Sequence, residues 1–333
     1  MALTLVEASK YSNDILQKGV VELLVKDDPV MEKLQFKDIK GNGLTYNEET
    51  SLSGANFFNV GDTWVESTST VTSRTATTKI LGGDADVDNF LKATRSNEQD
   101  LMTEQVTAKT KAMKRAFLDA FFYGYFTGGN TKDFDGLQYL MRRSTAGSPN
   151  TVAVATSSGT SLALSMERIE AAIDMVKGGT PDLIVMSKRT RRSINQYLHG
   201  VGGLTFADAA NGQVQTLFGI PTTASDHIRD NESADLQYGT KDQISGGTAV
   251  YGHNYADGDG DDNDGGSSIF VCRFDPEAIC GIQSMPITTD RLGNLETKDA
   301  QRIRIKWYPG LMFQSLISSS KVTGLDADGT VTA

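Results

Sequence analysis

Asp257, Asp259, Asp261, Asp262 and Asp264 crowd into the ten-residue stretch DGDGDDNDGG at 257–266. Carboxylates at that density can hold a hard divalent cation through oxygen ligands. The EF-hand pattern is not met, because Asp262 stands where that loop requires glycine and no glutamate closes it. Two readings stand, a solvated acidic loop and a divalent-cation site, and no other cofactor is expected. Lys188, Arg189, Arg191 and Arg192 form the densest basic cluster. On a helix they spread over more than one side, as a solvated face, a contact between subunits, or a salt-dependent contact with phosphates that reads no bases. His199, His227 and His253 fall in no ligand spacing. Cys272 and Cys280 lie in the apolar runs SIFVCRF and AICGIQ, which predicts buried free thiols ahead of a cross-strand disulfide or a metal site. No GxSxG or HExxH occurs, and GYFTGGNTK at 124–132 lacks the phosphate-loop spacing. The residues do not point to an enzyme.

The elements that would carry these groups can be read from periodicity. Residues 3–26 read as an amphipathic helix that Asp27-Asp28-Pro29 stops or bends. Leu34, Phe36 and Ile39 alternate as a strand ending at Gly41-Asn42-Gly43. Ser96 with Gln99 fits a capping box. From there Met102, Val106, Met113, Phe117 and Phe121 make one helical stripe reaching Tyr123, roughly 40 Å at 1.5 Å per residue. Residues 163–200 predict helix, buried strand and helix. The first helix is lined by Ile169, Ala172, Ile173 and Val176 and ends at Gly178-Gly179. The strand is Leu183–Met186, and the second helix is capped by Ser187 and ends at Gly200. Strand-like pieces follow at 214–218, 248–251, 268–274 and 278–283. Arg302, Arg304 and Lys306 then alternate with Ile303, Ile305 and Trp307, a strand with one wet and one buried face. Tyr308-Pro309-Gly310 reads as a turn.

One segment does not fit a self-contained globule. Residues 67–78, STSTVTSRTATT, hold nine Ser or Thr in twelve positions. Thr and Val favour extended backbone, so Trp64 to Leu81 reads as one long strand. It lacks an apolar face, and a two-stranded ribbon alone in water is marginal. It therefore needs a surface outside its own core, and the expected surface is a neighbouring copy of the chain. Phe57, Phe58, Trp64 and Arg74 are the expected contacts. The charge balance agrees with a non-reading role: net −10, with 32 Lys and Arg against 42 Asp and Glu, is not the footprint of a sequence-specific nucleic-acid binder. No apolar run reaches the length of about 18 residues that a membrane helix needs, so no membrane is expected. No secretory signal opens the chain.

The order of parts resembles the major capsid proteins of tailed bacteriophages, with their Hong Kong 97-like fold. The resemblance rests on LTLVEASKYSND (3–14), VVELLVKDDPVMEKLQFKDIKGNGLTY (20–46), TKILGGDADVDNFL (78–91), FDGL (134–137), DLIVMSKRTRRSI (182–194), TLFGIPTTASD (216–226) and RIKWYPGL (304–311). It implies an α+β chain in which 1–46 is an N-terminal arm and 47–80 an extended β-hairpin loop. The peripheral domain would be 81–158, with its spine helix at 96–123, completed by strands in 286–333. Residues 159–285 would be the axial domain.

The resemblance further implies hexamers and pentamers of an icosahedral shell around double-stranded DNA held without sequence specificity. Expected partners are the chain itself, a portal protein, a separate scaffolding protein and a decoration protein, in a virion capsid assembled in the host cytoplasm. The start at Met1 directly on the arm implies a scaffold, if any, on another chain. A Lys–Asn crosslink of the kind some relatives form is not expected, since the loop offers only Lys79 near its base. The alternatives are an encapsulin-like nanocompartment, separated by its cargo, and a calcium-dependent binding module, separated by its small mass. An enzyme is the least supported.

Overall fold

The computed structural model describes residues 29–51, 53–64, 66–95, 101–126, 132–142, 151–153, 163–203, 205–209, 212–230, 266–327 and 329–332. The expected helix at 3–26, the Ser96–Gln99 cap and the strand at 248–251 lie outside them. Pro29 opens a short helix, Pro29–Lys33, at the position where its missing N–H costs nothing. Val30 and Leu34 are buried beside it.

Among the described residues thirteen strands follow in chain order: β1 (Phe36–Asp38), β2 (Gly43–Ser51), β3 (Thr70–Thr77), β4 (Leu81–Asp88), β5 (Thr151–Ala153), β6 (Leu183–Met186), β7 (Thr205–Ala209), β8 (Gly212–Leu217), β9 (Ile220–Ala224), β10 (Gly266–Cys272), β11 (Ile279–Asn294), β12 (Ala300–Phe313) and β13 (Ser320–Asp326). They form a four-stranded sheet in the order β1-β11-β12-β4, a seven-stranded sheet β5-β13-β10-β6-β9-β8-β7, and the separate ribbon β2-β3. The fold is α+β.

The long helix is Leu101–Tyr123, 23 residues, preceded by a short helix at Asn89–Arg95. Met113, Phe117 and Phe121 of its predicted stripe are buried, together with Leu118 and Phe122. Phe117 lies 4.7 Å from the Trp307 ring and 5.8 Å from Phe36, between centroids. The period of two in β12 explains the match: Ile303, Ile305 and Trp307 face the helix, and Arg302, Arg304 and Lys306 face away. Contrary to the expected turn at Tyr308-Pro309-Gly310, β12 runs straight through to Phe313. The Pro309 carbonyl accepts from Lys79 N at 2.8 Å. The proline's missing donor therefore points to the side where β4 has already ended, so no ladder bond is lost.

The same period divides the seven-stranded sheet. Leu183, Val185, Phe270 and Cys272 join the core of the long helix, while Ile184, Met186, Ile269 and Val271 pack under two helices on the other face. Those helices are Met166–Asp174 and Lys188–Val201. Ser187 caps the second, accepting from Thr190 N at 3.2 Å, and Gly202 ends it with φ 75°. The ends differ from the expected ones: the first helix stops at Asp174 before the glycine pair, and the second runs past Gly200. Sheet membership also crosses sequence segments. β11 passes through position 285, and β5 and β13 pair within the seven-stranded sheet. Cys272 and Cys280 are free and buried, and burial pushes both thiols up from their ordinary range.

Candidate assembly interface

The polar ribbon begins where the core ends. β2 and β3 pair antiparallel from Gly43 opposite Thr77 out to Ser51 opposite Thr70. The expected single strand from Trp64 to Leu81 is instead divided. β3 spans only Thr70–Thr77, residues 78–80 are irregular, and β4 starts afresh at Leu81 against β12. The break has a local cause. Gly310 lets the ribbon's end come so close that an added Cβ there would sit 2.6 Å from the Thr77 carbonyl oxygen. Around that point the ribbon is pinned. Thr78 N donates to Asn42 O at 3.0 Å, Ser284 Oγ donates to Gly41 O at 2.6 Å, and Thr78 Oγ1 and Ser284 Oγ share a hydrogen bond of 3.0 Å. Tyr46 and Ala76 pack on Cys280, Ile282 and Met312. Lys79 lies with Nζ 3.4 Å from the centroid of the Phe126 ring, held at the base by its own chain.

Outward from this anchor the described residues offer no further support. Relative exposure rises from 8% at Ala76 to 57% at Val71, 81% at Trp64 and 108% at Phe57. Large apolar side chains in water are costly when clustered, and such clusters mark interaction sites. The end is nevertheless shaped. Asp62 N donates to Asn59 O at 3.1 Å and Asn59 N donates to Asp62 Oδ2 at 2.6 Å, around Gly61 at φ 96°. Ser67 Oγ donates to Gly54 O at 2.8 Å. The Phe58 and Trp64 rings stack at 4.9 Å and 17°. A preformed tip loses less entropy on docking than a slack one. The expected contact residues thus divide. Phe57 and Trp64 stand out in solvent, and Phe58 is half-buried against Trp64. Arg74 has a partner in its own hairpin, Nε to Glu48 Oε2 at 3.4 Å across the strands.

A second charged surface was not anticipated as a unit. On the face of β12 turned away from the long helix, Arg302 is bidentate to Asp86, both bonds 2.7 Å, and Arg304 is bidentate to Asp84 at 2.7 and 2.9 Å. Lys306 Nζ adds Asp290 at 2.6 Å. The guanidinium of Arg302 holds the Asp86 carboxyl below the usual carboxylate range, and Arg304 does the same for Asp84. The signal was present as two period-two runs of opposite sign, DADVD and RIRIK, whose pairing no local rule reveals.

The remaining candidates are placed as follows. Lys188 pairs with Asp226, and Arg189 Nε lies 3.6 Å from Asp230 Oδ2, so both cations serve the chain's own loop. His227 Nδ1 is 2.7 Å from Asp119 Oδ1 on the long helix. The five aspartates at 257–264, and His253, lie outside the described residues. Among the described residues no group of His, Cys, Asp or Glu is arranged to hold a metal ion, and no helix is long and apolar enough to cross a membrane.

The family model for the SU10 major capsid protein matches residues 7–222, well over half of the chain. No curated protein matches by sequence. Solved structures with the same architecture include the holo-SrpI encapsulin complex of Synechococcus elongatus, at TM-score 0.63 and 13% identity, covering 98% of this chain and 97% of that one. A structure from Mycobacterium phage Ogopogo matches at 0.55 and 14%, covering 89% and 92%. The capsid of a native GTA particle matches at 0.57 and 13%, covering 89% of each chain. At these identities the likeness establishes the Hong Kong 97-like fold.

Proposed function

The chain belongs to the SU10 major capsid protein family, and we propose that it builds, as hexamers and pentamers, an icosahedral shell around double-stranded DNA. The observation that carries this reading is the ribbon whose base is anchored and whose aromatic end, Phe57 and Trp64, lies in solvent. Such a ribbon contributes little to its own subunit and much to a neighbour that covers it. Subunit stability then depends on assembly, as for any partner that binds only the folded state. A ribbon meeting a different surface on the next copy is a heterologous contact, which closes into rings when the rotation permits. The work is mechanical, and no catalytic step is assigned.

A net charge of −10 suits a wall that holds packed DNA without reading or gripping it. A portal protein, a separate scaffolding protein and a decoration protein complete the proposed partners. The virion capsid is the proposed destination and the host cytoplasm the place of assembly. The similarity to an encapsulin complex supports a second use of the same fold, a compartment around a protein cargo. Content separates the two. Purified particles are imaged by negative stain, treated with nuclease, and assayed for protected DNA and for co-purifying protein. Closed shells with protected DNA are expected from infected cells. Protein cargo without DNA would move the reading to the compartment, and a chain that never leaves the monomer would end both.

A further inference from the structure

The seven-stranded sheet ends on β7, and that end is built from a stretch with almost no charge. Between Arg192 and Asp226 the sequence holds no Glu, Lys or Arg and a single Asp, Asp208, in a chain whose charged share is 22%. β7 pairs with β8 on one side, and among the described residues no strand pairs on its other side. A free edge offers unpaired backbone N–H and C=O groups, and self-contained proteins blunt such edges with charge, above all with Lys. β7 has neither Lys nor Arg.

Three apolar side chains stand in water at the corner where the helix Lys188–Val201 leads into β7: Val201, Phe206 and Phe218. Val201 is the last residue of that helix. Phe206 lies opposite Gln215, and Gln215 Nε2 donates to Asn195 Oδ1 at 2.5 Å, so Phe206 and the helix share one face of the sheet. Phe218 and Gly219 form the two-residue turn between Leu217 and Ile220, just past the Thr205–Thr216 pair and therefore at the same corner. Both take positive φ, 52° and 81°. A turn of that kind favours Asn-Gly, because a bulky side chain is strained in the left-handed region. Among the described residues Phe218 is the one non-glycine residue found there. The chain thus sets an aromatic ring, half in water, where its own fold prefers Asn. Strain of this sort outside a core points to function.

We propose that this edge, with Val201, Phe206 and Phe218, is covered in the shell by a second copy of the chain. The inference rests on the shell reading and names a contact surface for it besides the ribbon tip. Charge selects the occupant. Copies that each carry −10 repel one another and meet most readily where like charges are absent. Phosphates would need cations, and the basic residues of the helix, Lys188 to Arg192, stand at its far end.

The test uses the full chain with Phe218→Asn and, separately, Phe206→Lys. Asn suits the turn and Phe206 is exposed, so both variants are expected to melt within about 2 °C of the parent as unassembled subunits. Mass photometry against protein concentration then follows assembly, and each variant is expected to raise the half-assembly concentration about tenfold or more. A role confined to the subunit would instead lower the melting temperature and leave assembly of the folded chain alone. A folded variant that assembles like the parent overturns the proposal. Should either variant melt more than about 5 °C below the parent, Val201→Ser replaces it under the same criterion. Parent-like shells that have lost a second protein component give the edge to that protein and likewise overturn the proposal. A parent that stays monomeric overturns the shell reading itself, whereas assembly of parent and variants alike overturns this contact alone.

Discussion

The β11–β12 hairpin and the β2–β3 ribbon are both long antiparallel pairs rich in polar residues, yet they find their partners in different places. β12 gives one face to the long helix through Ile303, Ile305 and Trp307 and satisfies the other with Asp84 and Asp86 on β4. β3 has one buried residue, Ala76, and its outer residues alternate between exposed and half-buried with no apolar side chain of the chain's core beneath them among the described residues. The lesson is that polar content does not decide whether a strand is self-supporting. What decides is whether every second residue meets something within the chain. For β12 the something is the helix. For β3 beyond the base no such partner stands among the described residues, and the aromatic tip is exposed.

The comparison breaks most easily at the covered hairpin. Phe117→Ala removes the ring between Phe36, Phe134 and Trp307 and should cost about 3–5 kcal/mol in the unassembled subunit, measured by chemical denaturation. A loss no larger than a surface change would mean that β12 does not depend on the helix. The opposite behaviour is expected at the ribbon's tip. Phe57→Ala/Trp64→Ala should leave subunit stability within about 0.5 kcal/mol while reducing assembly by about thirtyfold, the usual effect of removing interface anchors. Parent-like assembly by this pair would detach the tip from shell formation.

Gly310→Ala probes the junction between the two hairpins. Its Cβ would press on the Thr77 carbonyl oxygen, and the cost should be about 1–3 kcal/mol, as for other overpacked sites. Hydrogen exchange should speed at Leu44 and Ala76 more than at Ile305. Equal protection changes would show that the base is not a separate anchor.

Acid tests the ladder on β12. Asp84 and Asp86 are held below their unfolded value of about 3.9 by Arg304 and Arg302. The unfolded chain therefore takes up protons first. The ladder's stabilisation is complete above that value and fades as pH falls from about 4 through the lower folded values. The urea midpoint of the parent should drop between about pH 6 and about pH 3 by more than that of Asp84→Asn/Asp86→Asn. Parallel drops would remove the ladder as a cause. The smallest effect is expected at Arg74→Ala, which loses a half-exposed pair with Glu48 worth under about 1 kcal/mol. A larger loss would mean that the ribbon is stiffened by charge.

Much of the fold was legible in single elements. The stripe Met113, Phe117, Phe121, the continuous run Leu183–Met186 and the alternation at 302–307 all appear in the structure as read. The turn at 308–310 and the unbroken strand from 64 to 81 did not survive, because both hinged on a neighbour. Pro309 is tolerated only because its side of β12 lacks a strand there, and β3 ends only because β12 passes beneath it. Of the candidate site, Phe57 and Trp64 were legible as apolar residues with nothing local to bury them. Arg74 was not, since its partner Glu48 sits across a hairpin whose register the sequence does not display.

Periodicity belongs to a segment and can be read from it: which residues share a face, which side is apolar, where a helix is capped. By itself the sequence therefore determined that the ribbon is extended and uncovered, that β12 is two-faced, and that the long helix presents one aromatic stripe. Pairing belongs to two segments at once and is settled by the free energy of the whole. Only the tertiary structure decided that DADVD meets RIRIK, that β5 and β13 join a sheet built mainly from strands between them in sequence, and that apolar cover for the ribbon among the described residues ends at Tyr46 and Ala76.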